Sequence, residues 1–165
     1  MTDDASPERT PDGRWLVIGG RRWRASDPAI PPPLRAELVK ELMRGRRLVR
    51  SRGDEARPFV HDAKVALGER GEPWWEPASD EGLRARLAAA VRALLRSRDG
   101  RTICPSDAAR VAGGDAWRHA VPVAREVADE LAGQGVVLVQ QKGTTVVAVT
   151  ARGPVRLAPG PTLQR

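Results

Sequence analysis

The stretch CPSDAARVAGGDAWRH, residues 104–119, gathers the only cysteine of the chain, one of its two histidines, a serine and two aspartates. A thiol and an imidazole form a nucleophile–base pair when they lie within hydrogen-bond reach and a third group orients the base. Nothing in this spacing forces Cys104 onto His119, and no residue pattern for an oxyanion hole accompanies them. Two short helices meeting at a bend account for every residue of the stretch. Cys104 stands at a helix start, with Pro105 at the first helical position and Ser106 and Asp107 in the first turn. Gly113-Gly114 makes the bend, and Asp115 caps the next helix. The expectation is a non-enzymatic chain with no catalytic residue.

The other reactive types exclude more than they offer. One cysteine with His61 and His119 cannot supply four metal ligands without carboxylates, and no Cys-x-x-Cys spacing occurs. No metal and no cofactor are therefore expected. Gly19-Gly20 is a turn rather than a phosphate-binding glycine loop. The longest apolar runs, such as Val136–Val139, fall far short of the ~20 residues that cross a bilayer, so no membrane partner is expected. The N-terminus is acidic and carries no apolar stretch of the secretory kind, and a single cysteine cannot form an internal disulfide. A cytoplasmic setting follows as the expectation.

The elements that must position these residues are read from periodicity. Residues 1–12, one arginine against four acids for a net −3, read as a disordered tail. RWLVIGGRRWRAS predicts a hairpin turning at Gly19-Gly20, pairing Ile18 with Arg21 and Leu16 with Trp23. Leu16, Ile18 and Trp23 share the face expected to be buried, and Trp15, Val17, Arg22 and Arg24 the other. Residues 34–49 carry a helical stripe of Leu34, Leu38, Leu42, Leu48 and Val49, with Glu37 able to pair with Lys40. SRGDEARP reads as a loop. A second helix is expected over 57–67, facing inward with Val60, Lys64 and Leu67. Residues 13–72 thus form a β-hairpin and helical-hairpin module, and 73–80 a linker stiffened by two prolines. Trp74 and Trp75 in that linker are expected to dock on a neighbouring module as interaction anchors.

Residues 81–160 read as helix, short strand, helix, bend, helix and hairpin, followed by a fraying tail at 161–165. The first helix, capped by Asp80, turns Leu83, Leu87, Val91, Leu94 and Leu95 inward and Arg84, Arg92, Arg96 and Arg98 outward. The third turns Ala120, Ala124, Val127, Ala128 and Leu131 inward. The hairpin turns at Lys142-Gly143, and a last strand is expected near 155–157. This order is that of a winged helix-turn-helix domain, so the fold class is α+β. Its third helix enters the groove in DNA-binding members, and the hairpin is the wing.

Charge bears on the partner. The chain carries net +7, and all its basic residues but Lys40, Lys64 and Lys142 are arginines. Residues 13–77 hold 14 basic and 9 acidic groups and residues 78–165 hold 13 and 8, +5 each. A basic body favours polyanions. The candidate nucleic-acid contacts are Arg118, His119 and Arg125 on the third helix, Lys142 on the wing, and Arg110 and Arg152 flanking them. Glu126, Asp129 and Glu130 on the same helix weigh against groove binding. Two readings stay open: DNA or RNA binding through helix and wing, and a protein-docking adaptor using an apolar groove edged by Trp74 or Trp75.

TICPSDAARVAGG, WRHAVPVAREVADELAGQG, QQKG and ARGPVRL, in that order within 81–160, resemble a bacterial family, the domain-of-unknown-function family 3253. The resemblance implies a winged helix and no particular activity. DGRWLVIGGRRWRASDPAIP, LVKELM and VHDAKVALGERGEPWWE, from residue 12 to 76, are similar to small bacterial proteins labelled "biopolymer transporter Tol". Together they imply a fusion of two usually separate modules.

Overall fold

The structure, a computed structural model, describes residues 6–165. Its N-terminal hairpin follows the expected register. Strands β2 (Trp15–Ile18) and β3 (Arg21–Arg24) pair Ile18 with Arg21 and Leu16 with Trp23. Gly19 and Gly20 both adopt positive φ, 56° and 74°, which is why glycine occupies the turn. A third strand precedes them. β1 (Glu8–Arg9) pairs with β2, so ordered backbone begins inside the segment expected to be a disordered tail; residues 1–5 of that segment lie outside the described ones. The Asp12 carboxylate accepts from the Thr10 hydroxyl and from the Arg14 N–H, and these bonds hold its pKa below the usual carboxylate value. This Asx-type turn brings the chain back onto the strand.

The hairpin presents the face opposite to the expected one. Ile18 is 52% and Trp23 43% exposed. Trp15 instead meets Trp75 edge to face, with ring centroids 5.6 Å apart. Alternation fixes which residues share a face, but a partner sixty residues away decides which face is covered.

Helix α1 (Pro32–Arg52) starts on the proline run, and α2 (Arg57–Ala66) follows after a single 3₁₀ turn over 53–56. Helix therefore replaces most of the expected loop. α1 buries Leu34, Leu38 and Leu42 as its stripe requires. Where α1 crosses α2, a Cβ on Gly45 would lie 3.1 Å from the Val60 side chain, so glycine permits the close approach. α2 buries Phe59, Asp62, Ala63, Val65 and Ala66, while Val60 and Lys64 are only half-buried. Of the expected inward residues, Leu67 is fully buried and Val60 packs against the core, and the buried face extends to Asp62, which meets Arg92 and Arg96.

Helices α3 (Asp80–Arg98), α4 (Pro105–Ala112) and α5 (Trp117–Gly133) follow. Ser79 rather than Asp80 caps α3, its hydroxyl accepting from the Gly82 N–H at 3.0 Å. α5 buries Ala120, Ala124, Val127, Ala128 and Leu131, the predicted set. β4 (Val137–Gln141) turns at Lys142-Gly143 into a short β5 (Thr144–Thr145), with Gln141 opposite Thr144. β6 (Arg156–Pro159) pairs with the other edge of β4, giving the order β5-β4-β6, and Ile103 adds one bridge to Leu157.

One apolar cluster runs through the two halves. Leu38, Leu42, Ala63 and Leu67 pack in it with Leu87, Val91, Leu94, Val111 and Leu157. The segments 13–72 and 81–160 therefore share a core. The last residues join it as well. Leu163 is buried, Arg96 Nε donates to the Gln164 carbonyl at 2.8 Å, and Thr162 N–H donates to Gly135 O at 3.0 Å. The segment 161–165 is docked rather than frayed.

Candidate nucleic-acid interface

The arginines of α3 do not make a solvated outer face. Arg92 and Arg96 converge on Asp62 of α2, at 2.8 and 2.6 Å, and both Arg96 and Asp62 are buried. Arg86 pairs with the buried Asp27 at 2.9 Å. Desolvation lowers the Arg86 pKa, and Asp27 opposes that shift. Arg98 bridges Glu37 of α1, 2.8 Å away, and Asp107 of α4, 3.1 Å away. Glu37 thus pairs with Arg98 rather than with Lys40. Arg84 reaches across to Glu126 and Glu130 of α5. The expected outward set of Arg84, Arg92, Arg96 and Arg98 is the set of ties joining α3 to its neighbours.

The cations at the α4–α5 corner are differently placed. Trp117 opens α5, and the guanidinium carbons of Arg110, from α4, and of Arg118 each lie 4.5 Å from its ring centroid. Arg110, Arg118 and His119 are exposed. The π-face fixes where the two guanidinium groups sit without neutralising them. Among the described residues, neither arginine has a carboxylate partner. Trp117 was not among the expected contacts; its signal in the sequence is an aromatic followed directly by Arg118 and His119, at the first position of a helix after a glycine bend.

The acids of α5 that weighed against groove binding have other partners. Glu126 and Glu130 face Arg84, and Asp129 accepts from the N–H groups of Ala148 and Val149 at 2.7 and 3.0 Å. Arg125 is part of the same framework. It donates to the carbonyls of Ala148, Ala151 and Gly153 at 2.8, 3.0 and 2.6 Å, so its guanidinium clamps the loop after β5. Of the six candidate contacts it is the one turned inward. Lys142 is exposed at the hairpin tip with φ 51°. Arg152 is exposed beside it in the fold, where Gln141 Nε2 donates to its carbonyl at 2.6 Å.

Cys104 and His119 have separate surroundings. The Cys104 N–H donates to the Asp107 carboxylate at 3.0 Å, completing a helix start that Arg98 also holds. His119 instead lines a cleft of about 910 Å³ between the two halves, together with Trp74, Trp75, Leu83 and Arg86; Cys104 is not among its lining residues. Trp74 Nε1 donates to the Ala25 carbonyl at 2.9 Å. Trp75 stands between Trp74 and Trp15, with Arg14 and Arg24 over its ring at 5.1 and 5.6 Å. The linker tryptophans therefore fasten the hairpin to the helices. Among the described residues, no helix is long and apolar enough to cross a membrane.

Comparison with known proteins bears on the unit that carries this corner. Residues 84–159 match the model of a family described as "Protein of unknown function (DUF3253)". The match begins in α3 and ends with β6, so it takes in the α4–α5 corner and the hairpin and omits the N-terminal half. No curated protein matches the chain.

Proposed function

We propose that the chain is a non-enzymatic, cytoplasmic nucleic-acid-binding protein whose C-terminal half works as a winged helix-turn-helix. In this reading α5 approaches a groove with its first turn, and the β4–β5 hairpin is the wing. Arg118 and His119 reach base edges or phosphates, Arg110 contacts the backbone beside them, and Lys142 and Arg152 hold the strand at the wing. The observation that carries the reading is the pair of unneutralised guanidinium groups set on Trp117 at the helix start, on a helix whose acids are engaged elsewhere.

A labelled random duplex titrated at several salt concentrations tests it. Binding should be strong at low salt and fall steeply as salt rises. Arg118→Glu should weaken it about tenfold with little loss of stability, because that side chain is exposed and rests on Trp117. Arg84→Glu should leave affinity nearly unchanged, since Arg84 faces Glu126 and Glu130. Absence of binding at low salt sinks the proposal.

A second reading, a protein-docking adaptor, draws on the cleft between the halves, whose edge carries Trp74, Trp75 and Leu83. It predicts that Leu83→Asp abolishes capture of a partner while duplex affinity stays unchanged.

A further inference from the structure

The N-terminal half carries a cationic cluster that the C-terminal reading does not use. Trp23, 43% exposed on the hairpin, holds the Arg21 guanidinium 5.0 Å and the Lys64 ammonium 5.5 Å from its ring centroid. One cation comes from β3 and the other from α2, so the ring gathers charge from two elements. Desolvation is the main cause that lowers the Lys64 pKa, Glu69 opposes it, and the charges of Arg46 on α1 and of Arg70 add to the lowering. Arg70 also donates to His61 Nδ1 at 3.1 Å. Among the described residues, Arg21, Arg46, Lys64 and Arg70 form no ion pair, and Glu69 is the one carboxylate acting on Lys64, its other contact being the Ser26 hydroxyl.

We propose that Arg21 and Lys64, set against Trp23, together with Arg46 and Arg70, form a second phosphate-contacting surface that binds the backbone of a nucleic acid. The proposal takes from the preceding reading only the identity of the polymer; the surface itself is a separate observation. Charge complementarity selects the partner. Two cations with no ion pair rest on one ring, Arg70 adds a third beside His61 on the same helix as Lys64, and a phosphodiester chain offers anions at regular spacing, each of which releases counterions when contacted. An anionic lipid surface fits less well. Trp23 could enter the acyl boundary only by drawing the two cations on its ring with it, and beside it only Ile18 adds exposed apolar area on the hairpin. With the α4–α5 corner, the chain then has two contact surfaces, one in each half, and a polymer long enough to meet both gains by effective concentration.

The test uses the full chain, a long labelled duplex and a labelled oligothymidylate, over a series of salt concentrations. Arg21→Glu/Lys64→Glu should lower affinity for the long duplex about tenfold and flatten its salt slope by about 2, for two lost phosphate contacts. Trp23→Leu keeps every charge and should cost a few-fold, because the cations lose the surface that holds them. Circular dichroism and the melting temperature verify folding, and Arg46→Glu/Arg70→Glu, at exposed positions, provides the same test if the first pair fails to fold. Unchanged nucleic-acid affinity in both charge-reversal variants overturns the proposal. So does a loss confined to phosphatidylserine vesicles in co-sedimentation, which reassigns the surface to lipid. If Arg110→Glu/Arg118→Glu binds like the parent while the Arg21/Lys64 variant does not, the N-terminal surface stands and the C-terminal reading falls. A parent chain that binds no nucleic acid at low salt overturns both.

Discussion

Arginines are abundant both on α3 and around the α4–α5 corner, yet the two regions use them in opposite ways. On α3, Arg84, Arg86, Arg92, Arg96 and Arg98 all meet carboxylates. At the corner, Arg110 and Arg118 rest on an aromatic ring and keep their full charge toward solvent. A guanidinium stacked on a ring is positioned but not neutralised, whereas one in a buried ion pair is both. Counting basic residues therefore overstates the open cationic surface. Of the 13 basic residues in 78–165, the five arginines of α3 are held in ion pairs.

The deepest tie gives the largest expected effect. Asp62 is buried and receives both Arg92 and Arg96. Asp62→Ala leaves Arg96 buried without a counter-charge, its guanidinium retaining the Gln164 carbonyl and the Phe59 ring 4.7 Å away. The expected destabilisation is ~3–5 kcal/mol in urea unfolding, since removing one partner of a buried pair strands the other. A loss below ~1 kcal/mol would show that the pair is solvated in practice and would erase the contrast with the corner.

Arg125 sharpens the comparison, because it lies on α5 but behaves as the α3 arginines do. Its three bonds to the 148–153 backbone hold the loop that follows β5. Arg125→Ala should cost about 1–3 kcal/mol, the range for charge-assisted hydrogen bonds and for carbonyls left unpaired. Duplex affinity should fall less than for Arg118→Glu, which exchanges an open cation. If Arg125→Ala instead lowers affinity at unchanged stability, Arg125 belongs to the open set and the clamp is incidental.

What the sequence disclosed and what it withheld divides along the same line. The helices of the C-terminal half, the inward alanines of α5 and the registers of both hairpins follow from patterns within a few residues, and those were legible. Which face of the first hairpin is covered depends on Trp15 meeting Trp75, and the role of the α3 arginines depends on Asp62, Glu37 and Glu126 in other elements. An arginine on the polar side of an amphipathic helix looks the same in sequence whether water or a carboxylate from another helix lies opposite. The docked C-terminus was hidden for a similar reason: a single Leu163 among polar and proline residues has no periodicity to announce its burial. At the α4–α5 corner and the hairpin, Arg110, Arg118, His119, Lys142 and Arg152 were readable as exposed positions, but the ring that organises two of them was not.

The smallest expected effect concerns an exposed carboxylate in the segment that joins the two halves, where hydrogen bonds hold the start of α3. Glu72 accepts from the Ser79 hydroxyl and, at 2.9 Å, from the Ser79 N–H, while that hydroxyl accepts from the Gly82 N–H to cap α3. The Ser79 hydroxyl is the main cause that lowers the Glu72 pKa, and the Ser79 N–H adds to it. A carboxylate with a depressed folded-state pKa contributes stability that is present above its unfolded value and is lost as pH falls through the folded one. The contribution should therefore persist at neutral pH and disappear in the acid range below the ordinary glutamate value. Because Glu72 is fully solvated, the change should be local: the Ser79 and Gly82 amide resonances should titrate together while the global melting temperature at neutral pH barely moves. Glu72→Gln should abolish that joint titration. Were the two amides to titrate unchanged in the Glu72→Gln variant, the α3 cap would owe nothing to Glu72, and ion pairs such as Arg86–Asp27 would remain as the polar fastening between the halves.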